Sequence, residues 1–535
     1  MFEQILTHAP ALAVAIPLLG AFLTPLVSKI NGKLRNVFVV IITALTSFIV
    51  ALLSYNILAH ESVKFAPDLV KNGIQTYIFG AGSAGDPVVR IVFEVDGVNA
   101  FMIILAAILP LAAVIYSWGF MKDETGQDKY YTLILLLTAG MLGMMMTGDL
   151  FNFFVFLEIT SIASAALIAY RVNNKFSVQA AFKYIVVSTI GALFVLFAIA
   201  ILYGQYDALN MAVIAKSIQY GLLDKIALIL LIVALAMKAG IAPMHMWLPE
   251  AYGRAPSSVT VVIIGTTLGS FYGILRVGFT IFGEQIISES NLEVGIALGW
   301  VLVGLAILTI FIGVLMALKQ NDFKKMIGFA AVAEIGYMVL AFGAALATMY
   351  QDSVTGITGI SSSGLTALKG GMFHILNDAL DVSLLFLVAG AVYYVSKESS
   401  LNRLGGLARN MKYTTIFFII GLVAVSGLPP LNGFASKLMI YQSTYEINPI
   451  LAIVAILCSI LLLATFVKVF YAAFLGPKLP KFENVKEVPK SMLIGMLVLT
   501  CVIIFIGLFP NLVVENIVTP AVTALQNASA YIGGI

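Results

Sequence analysis

Apolar residues in this chain run in long blocks broken by short polar punctuation, with neither the two-residue alternation of half-buried strands nor the one-sided stripe of soluble amphipathic helices. A helix crossing a bilayer needs about 20 predominantly apolar residues. On that ruler the chain predicts an all-α polytopic membrane fold with fourteen spanning helices at about 8–30, 35–59, 98–120, 131–147, 149–170, 182–204, 226–248, 256–282, 295–318, 326–348, 366–396, 413–444, 448–475 and 490–511. Ala9–Val27 contains Pro10, Pro17 and Pro25 with no basic segment before it, which reads as a first span rather than a cleaved signal peptide. His60–Glu94 is the only long non-apolar stretch and is expected as an external loop, too small for a soluble catalytic domain. Asp207–Lys225 reads as a short amphipathic interfacial piece and Leu512–Ile535 as a terminal tail.

Charge supports the same count. The loops after odd-numbered spans carry nineteen Lys and Arg, from Lys29 to Lys490, whereas the loops after even-numbered spans carry five: Lys64, Lys71, Arg90, Lys216 and Lys225. By the positive-inside rule the first set faces the cytoplasm of a cell membrane, leaving both termini outside. The composition is 61% hydrophobic and 11% charged, against roughly 25% charged in soluble domains. The two cysteines, Cys458 and Cys501, lie singly in apolar runs, and no CxxC, haem-attachment or clustered Cys/His spacing occurs. No glycine-rich dinucleotide or phosphate loop occurs either, so no cofactor, resident metal or nucleic-acid partner is expected and ATP does not drive the protein. Energy has to come from an ion gradient or from a partner.

The chemistry lies inside the spans. Six Lys or Arg fall there, namely Lys183, Lys238, Arg276, Lys369, Lys437 and Lys468, together with Glu158, Glu334, Asp378, Asp381, His245 and His374. A charge at mid-membrane costs about 2.5–3.5 kcal/mol on insertion scales, so such residues mark ion pathways or inter-helix clasps. Arg276, Lys369 and Lys468 lie near predicted interfaces and read as clasps or snorkelling ends. Glu158 lies roughly 15 Å along its helix and is predicted to pair with Lys238. Lys238 precedes Gly240, Pro243, His245 and Pro249, which interrupt the seventh span; such breaks at depth line polar cavities.

Gly427, Pro429, Pro430 and Gly433, followed by Lys437, repeat that break five spans later, and Glu334 follows Glu158 by the same interval. An odd interval inverts the second copy, which predicts two inverted five-helix repeats with one half-channel each. The expected organisation is 1–130 (three spans and the 60–94 loop), 131–283 (first repeat), 284–475 (second repeat) and 476–535 (last span and tail). His374, Asp378 and Asp381 stand at i, i+4 and i+7 on the eleventh span and form a polar stripe suited to proton relay. Two buried carboxylates need a proton, a cation or a lysine; Lys437 is the expected partner of Asp378, with a transient Na⁺ at Asp378 and Asp381 as the alternative.

Several of these segments resemble one family. Gly148-Asp-Leu-Phe-Asn-Phe-Phe-Val-Phe-Leu-Glu158, Lys183-Tyr184, Met237-Lys238 with Pro243 and Trp247-Leu-Pro249, Asp322-Phe-Lys324-Lys325, Phe373-His374, and Gly427-Leu-Pro-Pro-Leu-Asn-Gly-Phe434 with Lys437 are similar to the antiporter-like membrane subunits. That family includes the proton-pumping subunits of respiratory complex I, the large subunits of Mrp-type sodium/proton antiporters and the matching subunits of membrane-bound hydrogenases. The likeness runs from about Asp96 to about Leu475 and is nearest the Mrp D-type and hydrogenase branch. It implies that Glu158 and Lys238 form the key pair, that Lys437 is the lysine of the second broken helix, and that Lys183 and His374 belong to a polar axis in the membrane plane. Two family cations are absent: Thr267-Leu268-Gly269-Ser270 stands where a bridging lysine precedes Tyr272 and Arg276, and the eleventh span reads His374, Asp378, Val382 instead of His, His, Lys. The expected function is H⁺ translocation, with Na⁺ as an open alternative, by a subunit whose partners are other membrane subunits and the lipid bilayer. The competing expectations are a structural anchor for a redox module and a stand-alone secondary transporter.

Overall fold

The computed structural model describes residues 2–79, 91–283, 292–351, 358–477 and 479–533. In chain order the helices are α1 (Phe2–Ile30), α2 (Gly32–Leu58), α3 (Gly97–Phe120), α4 (Gln127–Met146), α5 (Leu150–Ile168), α6 (Lys175–Tyr206), the short α7 (Met211–Ser217), α8 (Leu222–Ala239), α9 (Trp247–Arg254) and α10 (Ser257–Leu275). They continue with α11 (Leu292–Lys319), α12 (Phe323–Ala347), α13 (Ser362–Ser396), α14 (Lys412–Val425), α15 (Asn432–Ile447), α16 (Pro449–Val469) and α17 (Lys490–Leu508). Among the described residues 13 helical segments are long and apolar enough to cross a membrane, α8 to α9 counting as one. The remaining expected span, 413–444, is divided into α14 and α15, each too short to cross alone.

Lipid cannot hydrogen-bond the backbone, so the segments are helical, and their apolar surface sorts them into layers. The apolar windows of α10, α12 and α13 are wholly buried and form the centre. Those of α1, α2, α6, α11, α16 and α17 are less than half buried and turn leucine, isoleucine and phenylalanine outward, as a lipid-facing shell requires. Small residues bring the central helices close: a Cβ on Gly313 of α11 would stand 2.5 Å from the Ala333 amide nitrogen of α12.

Outside the helices, β1 (Gln75–Ile78) and β2 (Val92–Val95) pair antiparallel with Gln75 opposite Val95, running one residue past the expected 60–94 loop. The segment after α17 is more than a tail. Of its helical pieces Pro510–Val513, Thr519–Gln526 and Ala528–Ile532, the second packs against the start of α3, where the Pro520 carbonyl oxygen lies 2.7 Å from a Cβ built on Gly97, and the third packs against α7. Tyr531 places its ring 4.5 Å beneath the Arg276 guanidinium, so the mixed hydropathy that read as a tail reflects one-sided packing.

Both broken spans stop in the same way. Gly240 and Gly427 take positive φ of 78° and 68°, a conformation that costs a side-chain-bearing residue about 1–2 kcal/mol. The Gly240 amide donates to the Met237 carbonyl and that of Ile241 to Ala236; the Gly427 amide donates to Ala424 and that of Leu428 to Val423. This is the Schellman closure of a helix end. Three residues after each glycine comes a cis-proline, Pro243 or Pro430. Side chains also bond a carbonyl at each break: Trp247 Nε1 donates to Met237 O at 2.9 Å and Lys437 Nζ to Val425 O at 2.8 Å.

Candidate functional site

Two charged centres lie in the membrane interior. In the first, Glu158 on α5 and Lys238 in the last turn of α8 stand with Oε1 and Nζ 3.9 Å apart, close enough for an ion pair and too far for a hydrogen bond. Lys238 Nζ instead donates to Ser161 Oγ at 2.7 Å, and Ser188 Oγ of α6 donates to the same oxygen at 2.8 Å. Lys238 is buried, whereas the Glu158 side chain is 26% exposed on the flank of the protein. A polar void of about 10 Å³, lined by Ser161, Tyr184, Ser188, Lys238, Thr266 and Ser270 among others, lies beside the lysine; it holds one water at most.

The second centre is tighter and more deeply buried. Glu334 of α12 sits between two partners, with Oε1 2.7 Å from Lys437 Nζ of α15 and Oε2 2.8 Å from His374 Nε2 of α13. All three side chains are at most 3% exposed. His374 Nδ1 faces Ser436 Oγ at 3.2 Å, which positions the ring, and the Lys437 ammonium lies 4.8 Å from the centre of the Tyr337 ring. Isolated charges at this depth would be neutralised, whereas an acid held between a lysine and an imidazole can remain charged.

This arrangement redistributes the expected stripe on α13. Lys437 is bonded to Glu334 rather than to Asp378, because α15 packs against α12 as well as α13 and brings the ammonium within 2.7 Å of the glutamate. Asp381 Oδ1 accepts from Asn432 Nδ2 at 3.0 Å, and Asn377 Nδ2 donates to the Asn432 carbonyl and to Ser436 Oγ. Asp378 is buried and its Oδ1 has no hydrogen-bond partner among the described residues. Among the described residues no group of three or more His, Cys, Asp or Glu is placed to hold a metal ion.

Two other expected residues stand apart. Lys183 lies on the exposed side of α6, while Tyr184, one residue and about 100° further round the helix, is the residue that turns inward. His245 is buried in the turn between α8 and α9, and neither ring nitrogen has a hydrogen-bond partner among the described residues. The two lysines are also not equivalent in position: Lys238 precedes its break and Lys437 follows its own. Arg276 and Lys468 are clasps, as their interfacial placement suggested. Arg276 Nη2 bonds Asp96 Oδ1 at 2.5 Å, and Lys468 Nζ binds the Leu318 and Gln320 carbonyls at 3.1 and 3.0 Å. Lys325 pairs with Glu250 at 2.7 Å and Lys324 Nζ bonds the Ala255 carbonyl, tying α12 to the end of the broken span.

Sequence reading missed the hydroxyls Ser161, Ser188, Tyr252, Thr267 and Ser436. A hydroxyl in a helix can satisfy itself on its own backbone, as Ser161 does with the Leu157 carbonyl at 2.7 Å. The one available signal was spacing: Ser161 is three residues after Glu158, on the same face.

The model of the family described as "NADH:quinone oxidoreductase/Mrp antiporter, TM" matches residues 147–464, and that described as "NADH-Ubiquinone oxidoreductase (complex I), chain 5 N-terminus" matches 83–131. The chain is 30% identical over 531 residues to NADH-quinone oxidoreductase subunit N of Desulforudis audaxviator, covering 96% of this chain and 98% of the relative. It is 30% identical over 452 residues to the D-type Na(+)/H(+) antiporter subunit of Alkalihalophilus pseudofirmus, covering 83% and 85%. Among solved structures, a chain of the membrane-bound sulfane sulfur reductase, an archaeal respiratory membrane complex, superposes with a TM-score of 0.81 at 28% identity, covering 98% of this chain and 99% of that one.

Proposed function

Since the chain belongs to the NADH:quinone oxidoreductase/Mrp antiporter transmembrane family and is an antiporter-like subunit of a multisubunit membrane complex of the Mrp or complex I type, we propose that it translocates H⁺ through two half-channels, one in each five-helix repeat. The observation that carries the reading is the recurrence of an acid–lysine centre, Glu158–Lys238 and Glu334–Lys437, each on or beside a span broken by the same glycine and cis-proline. The loose first pair can exchange a proton with water or with a neighbouring subunit on the exposed flank of Glu158. The buried second pair responds to charge arriving beside it, with His374 as its titratable third member. The residues proposed to act are Glu158, Lys238, Glu334, His374, Lys437, Asp378 and Asp381. Lys183 faces outward, where a partner subunit would meet it, and His245 lies at the break.

The charge asymmetry of the loops supports a plasma-membrane orientation with both termini outside. Na⁺ as cargo is the second reading, favoured by the Asp378 carboxylate, whose Oδ1 has no hydrogen-bond partner among the described residues. The deciding experiment is Glu158→Gln in the purified complex, reconstituted into vesicles carrying a pH-sensitive dye. Glutamine keeps the shape and loses the titrating proton, so assembly is retained and translocation abolished. Unchanged pumping would reduce Glu158 to a structural role, and transport by the isolated chain would make it a stand-alone carrier.

A further inference from the structure

α8 packs against α6 and α10, and α11 against α12 and α16, which leaves a cleft between α8 and α11. The cleft holds a cavity of about 420 Å³. It passes inward between the outward-facing Ile229 and Val233 of α8 and Val301 of α11, and reaches Phe271 of α10 and Phe342 of α12 in the buried centre. Its lining is apolar except at one end, where Tyr220 and Lys225 stand. The Lys225 ammonium lies 5.0 Å from the centre of the Tyr220 ring, and among the described residues no carboxylate pairs with it. Tyr220 is 5% exposed, and its hydroxyl has no hydrogen-bond partner among the described residues. The turn that presents this ring takes a φ of 59° at Tyr220, a left-handed conformation that a Cβ opposes.

We propose that this cleft is a binding site for one anionic phospholipid, with an acyl chain inserted between α8 and α11 and the phosphate held by the Lys225 ammonium and the Tyr220 hydroxyl. Water does not suit the space, because a buried water needs two to four polar partners and only one end supplies any. Hydrocarbon suits it, and the cleft opens toward the lipid-facing surface. From Lys225 to Ala236, both of which line the cavity, α8 rises about 16 Å, the depth of one leaflet of a hydrocarbon core about 30 Å thick. An unpaired ammonium beside an unsatisfied hydroxyl donor fits a phosphate oxygen, and a basic pocket between spanning helices selects an anionic head group. At the deep end the acyl chain meets Ala236 and Ile241, whose backbone hydrogen bond closes the helix beside Lys238. The bound lipid therefore buttresses the broken span from outside the ion path.

The test is photolabelling of the purified complex in mixed vesicles, with a diazirine near the end of one acyl chain of phosphatidylglycerol or, in parallel, of phosphatidylcholine. Labelled residues are mapped by peptide mass spectrometry. Label is expected on Ile232, Ala236, Phe271 or Phe342, and to favour phosphatidylglycerol by about fivefold, the scale of one lysine facing an anionic lipid. Lys225→Gln is expected to abolish that preference. Ala297→Trp, which fills the cleft from α11, is expected to remove the deep label and to leave label on the outward Ile229 and Val233. Label confined to Ile229, Val233 and Val301, unchanged in Ala297→Trp, would mean ordinary boundary lipid and overturn the site. Equal deep labelling by the two lipids, or a preference untouched by Lys225→Gln, would overturn the assigned head-group contact. If Ala297→Trp fails to assemble, the labelled positions in the unaltered complex and the Lys225→Gln contrast decide alone. The readout is lipid contact, so its outcome is independent of whether the chain moves H⁺.

Discussion

Replacing Glu334 by glutamine removes the acid that holds both Lys437 and His374 and leaves the Lys437 ammonium in a site where its side chain is 2% exposed. At 2.7 Å and an effective dielectric of about 20, the attraction lost is about 6 kcal/mol, against about 4 kcal/mol for the 3.9 Å pair of Glu158 and Lys238. Breaking one side of a buried pair costs about 3–5 kcal/mol, chiefly because the surviving charge is stranded, whereas removing both charges can be nearly neutral. Glu334→Gln is therefore expected to lower the thermal unfolding midpoint of the purified complex, and Glu334→Gln combined with Lys437→Met to recover much of that loss. Transport is expected to be absent in both. The assay is a double-mutant cycle, with unfolding followed by helical circular dichroism and H⁺ uptake measured in vesicles. If adding Lys437→Met to Glu334→Gln deepens the destabilisation, the stranded-charge argument is wrong. If the double variant still pumps, this pair is outside the ion path.

Asp378→Asn distinguishes the two cargo readings. A transport defect equal at all sodium concentrations is expected for a proton acceptor, whereas a defect that eases as sodium is raised would identify Na⁺ as the cation held there, and no defect would remove Asp378 from the path. Glu94, on β2 outside the spans, is buried against Asn210, which donates to its Oε1 at 2.9 Å, and desolvation pushes its carboxyl up to about 7. The folded state then holds this proton more tightly than the unfolded state, so stability is full below about pH 4.5 and falls as pH rises through about 7, by about 3 kcal/mol. Glu94→Gln, a mimic of the neutral acid, should flatten the thermal-stability profile of the complex between about pH 5 and pH 8; parallel profiles for the two proteins would count against the buried-acid account.

Much of the architecture was legible in the sequence because lipid leaves the backbone so few options. Each crossing must be an apolar helix about 20 residues long, so fourteen spans could be read from hydropathy. Gly240 with Pro243 and Gly427 with Pro430 marked the two breaks through backbone chemistry alone. The charges at Glu158, Lys238, Glu334 and Lys437 were conspicuous because each is costly in hydrocarbon. Which acid meets which base was decided only by the tertiary structure. Successive residues on a helix differ by about 100° in direction, and a helix apolar all round carries no mark of the side that packs inward. That rotation turned Lys183 outward and Tyr184 inward, and the approach of α15 gave Lys437 to Glu334 instead of Asp378. The Tyr252–Thr267 contact joins α9 to α10 through hydroxyls that apolar runs leave unmarked, and only the packing of the broken span against the central helix brought them within 2.7 Å.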